Sequence, residues 1–294
     1  MTDQTNVGVV DGESVLGEAV EAYRVALGGR LLAAYALGSL AHGGFSELVS
    51  DIDLGLILSD PRLPADDSTI QVVADAEKSK GSALHERLSV FWGTPATLRG
   101  EREGGRFPAL DRLDLIENGR LLAGTDDARL GLPRPDVREL IVGGAEFALD
   151  YLAGLRRPAG WLARGLASLR PAGAIEEIRS PDLLIAHGVR RLTKRVLFPV
   201  RFLYTAATGR VGTNAAAAAR YLSDGKAPST RLVAAALGWR TSQPTDEVAA
   251  AALLREQIVP LYLHYIADHI TRLDSLGEVE LAEAFREWRH RLVR

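Results

Sequence analysis

Residues 38–58 read GSLAHGGFSELVSDIDLGLIL. From Asp51 to Leu58 the residues alternate at first and then become almost wholly apolar. That is the pattern of a strand covered by helices, whose first residues emerge at an edge of the sheet. Upstream, Leu31 to Leu37 is a short apolar run that stops at Gly38, which reads as a buried strand. Gly38-Ser39 therefore closes one strand, and after eleven intervening residues Asp51-Ile52-Asp53 opens the next. Alternate residues of a strand share a face, so Asp51 and Asp53 project together while Ile52 faces the other way. Two carboxylates held side by side repel unless a cation lies between them. Mg2+, a hard ion that takes oxygen ligands and substrate phosphates, suits that place. Backbone N–H groups at the Gly38-Ser39 turn can cradle a phosphate, with Gly38 allowing close approach and Ser39 adding a hydroxyl. Ser50, just before the first aspartate, is placed to reach a phosphate oxygen. Each piece alone is common. Their order, from strand through Gly-Ser and spacer to Ser-Asp-x-Asp and an apolar strand, points to a nucleotide site or to one inherited from such a site.

The flanking sequence supplies a helix before this stretch and alternating elements after it. Apolar residues at helical spacing run from Glu13 to Leu27, and Gly28-Gly29 supplies a stop. Residues 67–84 are predicted helical, 88–92 (LSVFW) a third strand, 94–105 a loop, 110–117 a helix and 120–123 a fourth strand. The text changes near Gly131–Pro135, where GLPRPD reads as a linker with Asp136 as the cap of the next helix. Beyond it helices are predicted over 137–155, 160–169, 182–208, 214–222, 229–238, 246–272 and 277–292. Pro199 should kink or split the third of these. The expected fold is α+β, with a mixed sheet and flanking helices over 1–132 followed by an all-α domain over 133–294.

Composition bounds the chemistry. The chain has 294 residues and a formal charge of −3, so it has no overall electrostatic preference for nucleic acid or membrane. It has no cysteine, which excludes disulfides, thiolate metal sites and a cysteine nucleophile and fits a cytoplasmic protein. The N-terminal residues do not read as a signal peptide, and no apolar run is long enough to span a bilayer. Residues 154–210 hold eleven Lys or Arg against three acids, Glu176, Glu177 and Asp182. This excess is either a solvated helical face or a basic wall for a triphosphate and an anionic acceptor. His264 and His269, five apart, lie on different helix faces and make a poor zinc pair.

Two stretches resemble one family. Residues 38–58 are similar to the nucleotidyltransferase superfamily of polymerase β, nearest to the aminoglycoside (streptomycin/spectinomycin) adenylyltransferases. Residues 201–222, RFLYTAATGRVGTNAAAAARYL, resemble an Arg…Tyr-Thr…Thr-Gly…Ala-Ala stretch in that family's helical domain. The resemblance implies ATP and Mg2+ in a cleft between a sheet domain and a helical domain. Asp51 and Asp53 then hold the metal, and Gly38, Ser39 and Ser50 hold phosphates. Arg201 then meets the triphosphate from the helical domain, and Lys194 or Arg195, outside the matched stretch, are further candidates to join it. Trp239 lies roughly where the family sets an aromatic against adenine, although a core tryptophan reads equally well.

Three departures accompany the likeness. The family's third carboxylate, its general base, corresponds here to Ser89, which neither binds Mg2+ as strongly nor takes a proton from an alcohol. Glu86, the nearest acid, is the remaining catalytic candidate beside Asp51 and Asp53; regular strand alternation points it to the opposite face, so only a bulge or a bend would bring it to the pair. The family's phosphate-binding lysine corresponds to Asn214. An acid that attracts a cationic aminoglycoside corresponds to Arg191, which would repel one. The expected activity is Mg2+-dependent transfer of a nucleotidyl group, adenylyl foremost, from a triphosphate to a hydroxyl of a small-molecule acceptor, anionic acceptors included. The alternatives are a catalytically impaired nucleotide-binding or regulatory protein on the same scaffold, or transfer to an RNA end or a protein.

Overall fold

The computed structural model describes residues 11–155 and 174–294. They divide into two compact units. One runs as far as Phe107 and resumes over Asp114–Pro133; the other takes Pro108–Leu113 and resumes at Arg134.

The first unit is built on a four-stranded mixed sheet. Its strands are β1 (Leu31–Leu37), β2 (Ile52–Leu58), β3 (Leu88–Gly93) and β4 (Arg120–Gly124), in the order β3-β2-β1-β4. β1 lies antiparallel to β2 with Leu37 opposite Asp53, and β3 lies parallel to β2 with Ser89 level with Asp53. Helix α1 (Gly12–Leu27) starts where the Asp11 side chain accepts the Ser14 N–H at 2.8 Å. The one-turn helix α2 (Gly38–His42) follows β1, and α3 (Pro64–Lys78) links β2 to β3. α3 begins and ends earlier than the pattern predicted. Pro64 opens it, Asp66 accepts the Leu63 N–H, and the chain turns at Gly81 with φ +78°. Within the expected loop lies the single turn α4 (Pro95–Leu98), and α5 (Ala109–Asn118) precedes β4.

Alternation along the strands makes two cores. Ile52, Leu54, Leu56 and Leu58 face one way, with Val15, Leu16, Tyr23 and Ile70 from α1 and α3. Leu37, Tyr35 and Ile57 face the other way, with Leu98 and Leu115. Asp53 has the parity of this second face, at the end where the strand begins.

From Arg134 on, the regular elements among the second unit's described residues are all helices: α6 (Val137–Tyr151), α7 (Ala174–Arg179), α8 (Pro181–Ala186), α9 (Val189–Thr208), α10 (Asn214–Ser223), α11 (Thr230–Gly238), α12 (Glu247–Ser275) and α13 (Val279–Val293). Asp136 caps α6 as expected, its carboxylate accepting the Glu139 N–H at 2.7 Å. The helix predicted over 160–169 lies outside the described residues. The helix predicted over 182–208 does divide, but at Gly188 with φ +88° rather than at Pro199. α9 passes through Pro199 because its missing N–H is replaced. Proline at this position deprives the Arg195 carbonyl of its helical donor, and the buried Tyr262 hydroxyl donates to that carbonyl at 2.9 Å.

Tyr262→Phe would leave the Arg195 carbonyl buried without a donor. The expected cost is about 1–3 kcal/mol of unfolding free energy, read by denaturant titration, with no change in secondary structure.

Candidate functional site

The Gly38 turn is shaped by two carboxylates. Gly38 has φ +59°, a region that side-chain-bearing residues rarely adopt. A Cβ placed there would collide with the Asp53 carboxylate, so that carboxylate packs directly against the Gly38 backbone. The Gly38 N–H donates to Asp114 Oδ2 at 2.6 Å, and Asp114 Oδ1 accepts from the Asn118 side-chain amide at 2.8 Å. Of the backbone N–H groups expected to cradle a phosphate at this turn, the one of Gly38 is taken by Asp114. Ser39, half-buried on α2, follows it. Asp114 was not singled out in the sequence. It lies on α5, 76 positions from Gly38, and nothing local marks it.

Asp51 and Asp53 flank the fully buried Ile52 and are both half-buried. Ser50 is buried, and its hydroxyl accepts the Ser46 N–H at 3.0 Å, so it also braces the loop before β2. Ser89 is level with Asp53 on the neighbouring strand, as the sequence indicated. Glu86 is not on that strand. It sits exposed in a single 3-10 turn, His85–Arg87, before β3, so strand alternation does not govern it. Among the described residues, no third carboxylate or imidazole gathers with Asp51 and Asp53 within 4.8 Å. The set that does gather so is Glu18, Glu77 and His85. There the Lys80 ammonium already supplies the positive charge, at 2.7 Å from Glu18 and 2.8 Å from Glu77.

In the second unit the basic segment proves partly internal. Arg195 is fully buried. It pairs with Glu177 and donates to the Tyr151 carbonyl at 2.6 Å, so it has no access to a ligand, and the role offered to it is withdrawn. Glu177 is itself buried and also receives Arg191 and His187. The charge at Arg191 is thus offset by an acid eighteen residues before Arg195 in sequence. Arg156, Arg157, Arg164 and Arg170 lie outside the described residues. Lys194 is half-buried on α9. Arg201 is half-buried too, with its Nε on the Gly212 carbonyl at 2.5 Å and its guanidinium over the Phe198 ring. Trp239 caps α11 and rests half-buried against the helical core. Its neighbour Arg240 went unnoticed in the sequence. Burial and the nearby Arg201 charge hold the Arg240 guanidinium below its ordinary pKa, so two cations share one partly desolvated region.

Gly38→Ala adds both a strained φ and a clash, whereas Gly43→Ala (φ +86°, no atom within 4 Å of its Cβ) adds strain alone. Thermal or denaturant unfolding is expected to show G38A as the more destabilised, with the strain by itself costing about 1–3 kcal/mol.

No family model matches the sequence, and no curated protein matches it either. Among solved structures the chain is similar to a spectinomycin adenyltransferase from Enterococcus faecialis, crystallised with ATP and spectinomycin. The TM-score is 0.55 at 12% identity, over 85% of this chain and 99% of that one. No described helix is long and apolar enough to cross a membrane. A mixed four-stranded sheet with flanking helices, continued by a helical C-terminal region, gives this chain an α+β, nucleotidyltransferase-like fold.

Proposed function

We infer that the first unit holds a nucleoside triphosphate with Mg2+ and transfers its nucleotidyl group, adenylyl foremost, to a hydroxyl of a small-molecule acceptor. The reading rests on one observation above others. The Gly38 turn at the end of β1 is packed against the Asp53 carboxylate at the start of β2, with Asp51, Ser39 and Ser50 beside them in the chain. Similarity in fold to an adenyltransferase crystallised with ATP supports the choice of nucleotide.

The donor set fits the implied metal, since carboxylates and hydroxyls are all hard oxygen ligands. Bound there, Mg2+ would neutralise charge on the phosphates and draw electron density from the α-phosphorus. Asp51 and Asp53 hold it; Ser39 and Ser50 donate hydroxyls to phosphate oxygens. The acceptor oxygen forms a bond to the α-phosphorus, the bond to the bridging oxygen breaks, and pyrophosphate carries off that electron pair. The acceptor proton leaves to solvent in the absence of a general base at Ser89. Positioning and electrostatics supply most of the acceleration in phosphoryl chemistry, so this lowers the rate without forbidding the reaction. The reading is confined to residues of the first unit. It leaves Glu86 without a part, since that carboxylate does not gather with the aspartate pair.

A second reading is favoured by one observation. Ser89 is level with Asp53, and no third carboxylate joins the pair among the described residues. On that reading the protein binds the nucleotide and does no chemistry.

Thermal unfolding with each of the four nucleoside triphosphates, with and without Mg2+, tests the site. A ligand that binds only the folded state raises its stability. Wild type is expected to be stabilised by ATP with Mg2+. Asp51→Asn/Asp53→Asn should unfold at the wild-type temperature without ligand and show no such rise. Equal stabilisation of both proteins would refute the assignment. Incubation of wild type with α-labelled ATP and cell extract then separates an enzyme from a binder, since a labelled acceptor appears only if transfer occurs.

A further inference from the structure

The residue that completes the Gly38 turn is Asp114, and its environment suggests more than a helix-surface role. It is 7% exposed. A buried carboxylate loses its hydration and needs donors in exchange. Asp114 has one from the Gly38 amide at 2.6 Å and one from Asn118 at 2.8 Å. At 2.6 Å the first is a short hydrogen bond and a firm hold on the Gly38 peptide. On its other side the same residue is packed against the Asp53 carboxylate. Gly38 is therefore fixed from two directions, by an acid on α5 and an acid on β2, and its φ of +59° is the conformation that admits both.

We propose that Asp114 is a positioning residue of the nucleotide site: it anchors the Gly38 amide so that the turn bearing Ser39 meets the Asp53 carboxylate in a single geometry. The proposal rests on the nucleotide reading above. Asp114 acts through Gly38 and makes no contact with phosphate. What the turn requires from it is an acceptor oxygen at the amide, not a negative charge. A third charge near Asp53 opposes the triphosphate, so the acceptor and the charge have opposite effects and can be separated.

The test compares Asp114→Ala with Asp114→Asn. Asparagine keeps an acceptor for Gly38, and the Asn118 amide can flip to meet its other end. Two quantities are read: hydrogen exchange of the Gly38 amide by NMR, and binding of ATP with Mg2+ by calorimetry. Exchange at Gly38 is expected to be slow in wild type and D114N and fast in D114A. ATP binding should weaken roughly ten-fold in D114A and stay within about three-fold of wild type in D114N. Asn118→Ala removes only the brace on the carboxylate, so it should speed Gly38 exchange and weaken ATP binding more mildly than D114A. Wild-type ATP binding in D114A overturns the proposal. Equal loss in D114A and D114N also overturns it, because the charge rather than the hold would then be what binding needs. If D114A does not fold, N118A decides, and wild-type Gly38 exchange in that variant is the overturning result. Failure of wild type itself to bind ATP with Mg2+ sinks the nucleotide reading instead, while the exchange data still report whether Asp114 holds the turn.

Discussion

At Gly38 the chain leaves β1 with a positive φ and with its backbone against the carboxylate of Asp53. Only a residue without a Cβ can occupy that place, because the volume a Cβ would need is filled by the carboxylate. The constraint works in both directions. Leu37 pairs with Asp53 across the β1–β2 ladder, so the register of the sheet sets where the aspartate stands, and the glycine permits the turn to close over it. Asp114 then takes the amide that the turn presents. Strand register, a missing side chain and a distant acid thus agree on one geometry, and the order Gly-Ser…Asp-x-Asp has physical meaning only through that agreement.

Buried charge organises the second unit in a different way. Glu177, Arg191, Arg195 and His187 form a cluster around one buried carboxylate, with Arg195 fully enclosed. Removing one partner from such a group is costly because it strands the other in a low-dielectric interior. Part of what reads as a basic face is therefore internal structure. The positive charge that stays near the surface of α9 and beyond α11 is differently placed: Lys194, Arg201 and Arg240 are half-buried, and the last two are close enough to depress the Arg240 pKa. Partly desolvated like charges are the arrangement that a polyanion would stabilise.

Ser89 is the neighbour of Asp53 on β3. It stands level with Asp53 in the parallel ladder, where a hydroxyl cannot take up a proton from an acceptor alcohol. A site of this kind would work by holding reactants and neutralising charge, with proton removal left to water.

Most of the fold was legible in the sequence. Apolar runs and their periodicity placed β1, β2, β3, β4, α1 and the long helices within a few residues, and Asp136 marked the entry to the helical part. These features are local, set by alternation, capping and propensity over a few residues. Three things were not legible. The division of one long helix fell at Gly188 instead of Pro199, because Tyr262, sixty-seven residues from Arg195, supplies the donor that proline lacks. Arg195 reads in sequence as a ligand-facing cation, but in the core it is paired with Glu177. Asp114 carried no signal at all, and only the packing of α5 brings it to the Gly38 amide. The sequence by itself determined the four strands and the longer helices and set Asp51 and Asp53 at the start of β2. The tertiary structure alone decided which charges are buried in pairs and which acid holds the turn, since a hydrogen bond between residues 76 positions apart is written in no local pattern.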